Sequence, residues 1–177
     1  MINIFDWGKS QLKKAKTSIQ EASPVRSLSI HPSGDYFVAG CEQPTIRLYD
    51  IHTAQCYVSS CPRDQHIGSV NMVKYCQNAH LYASAGEDGS IKVWDGVSNR
   101  CVQTIQNAHA GEGVCSVEFT KNAKYLLSSG KDSIVRLWEL ASGRPILVYS
   151  ALNLFRMKKH QFRSFSDFYF QRAVHRS

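Results

Sequence analysis

No stretch of this 177-residue sequence approaches the roughly 18–20 consecutive apolar residues that a membrane-spanning helix needs, which excludes the helical membrane proteins. The opening "MINIFDWGKSQLKK" has no apolar core of a secretory signal, so the chain is expected to stay inside the cell. The six cysteines, at 41, 56, 61, 76, 101 and 115, form no C-x-x-C pair. That spacing gives no support to a zinc site, and because most of them lie in or beside apolar runs they are expected to be buried free thiols. "AGEDGS" contains glycines but not the G-x-x-x-x-G-K spacing of a phosphate loop. His31, His52, His80, His160 and His175 are scattered. Metals and cofactors are therefore expected to be none. Helical periodicity is missing as well: nowhere in the first 150 residues do apolar positions recur at i, i+3, i+4 and i+7 over three turns.

What is present is a repeat. Trp94 and Trp138 stand 44 apart, Tyr49 and Trp94 45 apart, and Phe5 and Tyr49 44 apart. Around them run "INIFD" (2–6), "IRLYD" (46–50), "IKVWD" (91–95) and "VRLWE" (135–139), each apolar, polar, apolar, aromatic, acidic. Each full period carries four strand-like runs separated by turn residues. The clearest has "VNMVKY", "LYASA", "SIKVW" and "CVQTI", joined by stretches holding Gly, Asp and Asn. The chain reads as all-β, built from four-stranded antiparallel units.

Charge is unevenly shared. Of 21 Lys and Arg and 14 acids overall, residues 151–177 hold Arg156, Lys158, Lys159, Arg163, Arg172 and Arg176 against Asp167 alone. The repeats are close to neutral and the last 27 residues are basic.

The period, the four runs per unit and the Trp-Asp ending resemble the WD40 repeat, which implies blades of a β-propeller. The resemblance assigns a structural tetrad to each of two units: His66, Ser84, Asp88 and Trp94, then His109, Ser128, Asp132 and Trp138. In the family these side chains hydrogen-bond to one another within a blade. Ser, His and Asp are also the ingredients of a nucleophilic triad. Two copies at matching spacing argue for a brace, so the expected catalytic set is none.

The predicted architecture is a partial, unclosed propeller of about three and a half blades: a half blade of third and fourth strands (1–20), a blade without the tetrad (21–60), two WD40 blades (61–106 and 107–150), and an off-pattern basic tail (151–177). In the first full unit Gln43, Ala39 and Tyr49 stand at the tetrad positions and no His precedes its first strand, which reads as lost bracing. Two open ends predict a marginal arc that self-associates or belongs to a longer parent. The tail reads as a read-through or misjoined segment, with binding of RNA through its Arg and Phe as the rival reading.

Finer wording, in "RSLSIHPSGDYF", "PTIRLYDI", "RDQH", "VWDGVSNRC" and "LLSSGKDSIVRLWE", resembles the WD-repeat subunits of the cleavage stimulation factor. That resemblance implies a non-catalytic nuclear scaffold in pre-mRNA 3′-end cleavage and polyadenylation. Its implied partners are the other protein subunits of that complex, with at most weak or indirect RNA contact and no membrane. The alternative is a generic adapter, such as a substrate receptor for ubiquitin ligation.

Overall fold

Alternating apolar and polar residues with Gly, Asn and Asp between the runs fold as antiparallel strands in the computed structural model, which describes residues 1–5 and 15–150. A short pair, β1 (Ile2–Ile4) and β2 (Thr17–Ile19), comes first. Three four-stranded sheets follow. The first holds β3 (Val25–Ile30), β4 (Tyr36–Cys41), β5 (Arg47–Asp50) and β6 (Cys56–Tyr57). The second holds β7 (Val70–Tyr75), β8 (Leu81–Gly86), β9 (Ile91–Asp95) and β10 (Cys101–Ile105). The third holds β11 (Val114–Phe119), β12 (Tyr125–Gly130), β13 (Ile134–Glu139) and β14 (Arg144–Ser150). Within each sheet spatial order follows chain order, so every blade is a meander. The one helical element among the described residues is a single 3-10 turn, Pro62–Asp64. The arrangement is an unclosed partial propeller of three and a half blades; the basic tail lies outside the described residues.

The turns repeat as faithfully as the strands. After each third strand the backbone enters the left-handed region at Ala54, Asn99 or Gly143, and that residue's N–H donates to the carbonyl of Asp50, Asp95 or Glu139. The acid of the Trp-Asp pair has a local task here. Asp95 Oδ1 accepts from the N–H of Ser98 at 2.7 Å and of Val97 at 3.2 Å, and Asp50 Oδ1 accepts likewise from His52 and Thr53. A short acceptor side chain at that position holds the tight turn that brings the fourth strand back onto the third.

Packing runs between the blades. β8 and β9 are covered on both faces, from Tyr82 through Gly86 and from Ile91 through Trp94. One apolar cluster joins Val38 and Ile46 of the first sheet to Val70, Val73, Tyr82 and Trp94 of the second. Another joins Ala83, Ala85 and Ile91 of the second to Val114, Val117, Leu126 and Trp138 of the third. A third seats Ile2 and Ile19 of the half blade against Phe37, Ala39 and Tyr49. The inner strands are also tied by hydrogen bonds: Val73 N–H donates to Ser27 Oγ at 3.1 Å, and Tyr75 N–H to Ser29 Oγ at 2.9 Å.

The cysteines depart in part from the expectation of burial. All six are free, but only Cys41 and Cys76 are buried, while Cys56 and Cys115 are exposed. Cys56 lies on the two-residue edge strand β6, and Cys115 sits at the bulge between Val114 and Ser116, where the side-chain alternation slips.

Interblade burial should dominate stability. Ile46, 1% exposed, lies wholly inside such an interface, whereas Leu28 is 47% exposed on the open side. Ile46→Ala should therefore cost about 2–5 kcal/mol. Leu28→Ala should stay within about 0.5 kcal/mol. Chemical denaturation of the two variants checks the contrast.

Candidate functional site

The polar residues singled out by spacing come together in each of the last two blades. In the second sheet His66 precedes β7, Ser84 is on β8, Asp88 is in the turn after it and Trp94 is on β9. Trp94 Nε1 donates to Ser84 Oγ at 2.9 Å, and Ser84 Oγ lies 2.7 Å from His66 Nε2. His66 Nδ1 stands 3.1 Å from both carboxylate oxygens of Asp88. The protons can be placed in one consistent way. Asp88 can only accept, so His66 Nδ1 carries the hydrogen; Nε2 then accepts from the serine, whose free lone pair takes the indole N–H. Asp88 also accepts from Ile67 N–H at 2.8 Å and from Ser90 Oγ at 2.7 Å.

The third sheet repeats the chain one period on. Trp138 Nε1 donates to Ser128 Oγ at 2.8 Å, Ser128 Oγ meets His109 Nε2 at 2.8 Å, and His109 Nδ1 donates to Asp132 Oδ1 at 2.8 Å. Here Arg136 donates to Asp132 Oδ2 at 2.6 Å and stands against the imidazole edge. The cation replaces the neutral Ser90 of the preceding blade.

Burial decides what such a chain can do. The bonding order from serine to histidine to aspartate is that of a nucleophilic triad, but Ser84 and Ser128 are at most 1% exposed, and each is capped by an indole N–H. A substrate carbonyl has no room to approach either oxygen. Among the described residues no three His, Cys, Asp or Glu side chains gather as a metal site.

The electrostatics reinforce the clasp. Burial pushes the carboxyl of Asp88 up, but the hydrogen bonds from His66, Ile67 and Ser90 outweigh it and hold the group well below the usual carboxylate range. Asp132 is likewise lowered: burial opposes, and the bonds from Arg136 and His109 prevail. His109 is lowered from 6.5, chiefly by burial, against the attraction of Asp132 and with the Arg136 charge adding to the drop.

The first blade holds a different set. Glu21, one period before His66, is buried and accepts from both the Tyr49 hydroxyl and Arg47 Nη1. Arg47 Nη2 donates to Gln43 Oε1 at 2.7 Å. The tyrosine hydroxyl reaches past Ala39, which has no side-chain oxygen, to the carboxylate. The bracing read as lost is rebuilt with a different donor and acceptor set.

A family profile described as "WD domain, G-beta repeat" matches residues 13–50, 56–95 and 99–139. The chain belongs to the WD40 repeat family. Each matched stretch ends with the third strand of a sheet, and the last two open at or just before the outer strand of the sheet before it, so a WD40 sequence repeat straddles two blades. Cleavage stimulation factor subunit 50 of Arabidopsis thaliana is 42% identical over 116 residues, which cover 65% of this chain and 27% of that protein. The human serine-threonine kinase receptor-associated protein is 30% identical over 80 residues, covering 45% and 22%. Pre-mRNA-processing factor 19 of Schizosaccharomyces pombe is 28% identical over 95 residues, covering 53% and 19%. The chain thus spans little more than a quarter of these relatives, or less. WD40 proteins generally serve as non-catalytic scaffolds for protein partners.

Several working residues of these WD40 blades carry no motif. A Cβ at Gly86 would collide with Asp88 and His66, and one at Gly130 with the His109 ring. Their signal was the 44-residue echo of a glycine two places after each tetrad serine. Glu21 was findable by counting 45 back from His66. Asp64 ties "RDQH" to "VWDGVSNRC", accepting from Arg100 Nε at 2.8 Å, Cys101 N–H at 3.2 Å and Ser59 Oγ at 3.0 Å. Its neighbour Gln65 accepts from Ile46 N–H at 3.1 Å in the preceding blade.

Ser84→Ala should leave two buried groups unpaired and cost about 2–3 kcal/mol. Gly130→Ala should cost about 1–3 kcal/mol by overpacking against His109. Equilibrium unfolding measures both. The three lowered pKa values all have the same sign. The unfolded chain protonates its histidine near 6.5 and its aspartates near 3.8, before the folded chain does, so folding loses stability as pH falls. Melting temperature should begin to drop below about pH 6.5 through His109 and fall further below 3.8 through Asp132 and Asp88. His109→Gln should flatten the upper part of that profile. A melting temperature that rises between pH 7 and 5 would contradict it.

Proposed function

We propose that this chain is a non-catalytic, protein-binding scaffold of the nuclear machinery that cleaves and polyadenylates pre-mRNA 3′ ends, with the other subunits of that machinery as its partners. The observation that carries this reading is the 42% identity to a cleavage stimulation factor subunit over most of the repeat region. The enclosed tetrads support the non-catalytic part of the reading, because their serines and histidines are used up within the blade.

The surface best placed to dock a partner is the end of the sheets that carries the His–Asp pairs. There Ile67, bonded through its N–H to Asp88, is 92% exposed. Polar links run from blade to blade along the same end. Arg26 donates to Asn71 at 2.7 Å, Asn71 donates to Glu87 at 2.9 Å and to Val114 O at 2.8 Å, and Lys131 pairs with Glu87. A rim fixed in this way presents its exposed side chains with little freedom to lose on binding.

The chain, tagged and incubated in nuclear extract, should retain identified cleavage and polyadenylation subunits. Ile67→Asp should weaken retention without lowering the melting temperature, while Val97→Asp, in the turn between β9 and β10 at the opposite end, should leave it intact. Recovery of ubiquitin-ligase subunits instead would favour the generic adapter. Loss of binding on deletion of residues 151–177, with a steep salt dependence, would favour RNA binding through the tail.

A further inference from the structure

We propose that Thr104 is a phosphorylation site and that the buried ammonium of Lys92 is the cation that receives its phosphate. The inference stands apart from the cellular role proposed above.

It begins with a position that repeats. The second residue of each third-strand run is basic: Arg47 in "IRLYD", Lys92 in "IKVWD" and Arg136 in "VRLWE". Arg47 pairs with Glu21, and Arg136 with Asp132 at 2.6 Å. Lys92 is 6% exposed, yet among the described residues it forms no ion pair. Asp88 stands four residues before it, as Asp132 stands four before Arg136, but the Asp88 oxygens bond to His66, Ile67 and Ser90. The second blade therefore encloses a cation to which no carboxylate is bonded. A buried charge is costly until it is paired, so the place calls for an anion.

Where that anion comes from is set by the one contact Lys92 makes. Thr104 on β10 is its cross-strand neighbour, and Lys92 Nζ donates to Thr104 Oγ1 at 3.3 Å. In the third blade the residue opposite Arg136 is Val148, which has no side-chain acceptor, and that cation stays with its aspartate. Thr104 is exposed although the lysine bonded to it is not. Its hydroxyl thus links the outer surface of the blade to the enclosed ammonium. Among the described residues the other side-chain partner of Oγ1 is Cys101 Sγ at 3.4 Å, and no carboxylate bonds there to repel a second negative group. A hydroxyl is a neutral acceptor for one of three N–H groups. A phosphate ester on the same oxygen carries about 1.5 to 2 negative charges at pH 7 and three strong acceptors, and turns one neutral bond into charge-assisted ones. The transfer breaks the bond from the γ-phosphorus of a nucleoside triphosphate to its bridging oxygen and forms one to Thr104 Oγ1. A protein kinase supplies the nucleotide, the nucleoside diphosphate leaves, and the hydroxyl proton passes to solvent.

The test uses the full chain with phosphothreonine installed at position 104 during synthesis, beside the unmodified chain, each with and without Lys92→Met. In the unmodified chain Lys92→Met removes an unpaired buried charge and should raise the melting temperature by about 2–4 °C. In the phosphorylated chain it strips the phosphate of its counter-ion and should lower the melting temperature. A lysine with a merely structural role gives no such reversal of sign. Incubation of the parent chain with cell extract and ATP should place phosphate on Thr104, located by fragmentation mass spectrometry and lost in Thr104→Val. The proposal is overturned if Lys92→Met moves both melting temperatures the same way, or if the phosphorylated parent melts below the unmodified one or fails to fold. It is overturned equally if Thr104 stays unmodified in the extract.

Discussion

A serine hydroxyl held between an indole N–H and an imidazole nitrogen, in a place no water reaches, is the constraint on which each regular blade depends. Buried polar atoms left unpaired cost more than any net gain from pairing them. Once Trp94 or Trp138 is covered by the neighbouring blade, its N–H must find an acceptor on β8 or β12. That acceptor needs a partner for its own hydrogen, the histidine supplies it, and the histidine in turn needs an anion. The loop before the first strand is thereby fixed to the turn between the second and third. The first blade meets the same demand with Glu21, Tyr49, Arg47 and Gln43, so it is the satisfaction of buried groups that recurs, and not one set of residue types.

Blade-to-blade contact is the second level of the same logic. Among the described residues no sheet has a core of its own, and each apolar cluster is shared between neighbours. The phase of the WD40 repeat strengthens this, because a matched stretch that spans the outer strand of one sheet and three strands of the next makes two blades covalently interdependent. The loop around Asp64 and Gln65 does so again through polar bonds to Arg100, Cys101 and Ile46.

The result is a rigid arc whose chemistry is turned inward and whose loops are turned outward. Groups that in another setting would activate a nucleophile are spent on one another, which leaves shape, charge and exposed apolar residues as the means of action. That division suits a scaffold, and the likeness to a cleavage stimulation factor subunit is consistent with it.

The period, the four strands of each unit and the two regular tetrads were legible in the sequence, because alternation and a fixed interval report directly on which side of a strand a residue occupies. The turn role of Asp50 and Asp95 lay in the same repeat, though only the backbone geometry revealed it. What tertiary structure alone decided depends on neighbours distant in the chain. Glu21 became a clasp residue only when Tyr49 and Arg47 were brought to it, Gly86 and Gly130 came under constraint only when imidazoles pressed on them, and Leu28 is half exposed where Val73 and Val117, one and two periods on, are buried. A strand's pattern states which face is apolar; the arrangement of the other blades determines whether that face is filled.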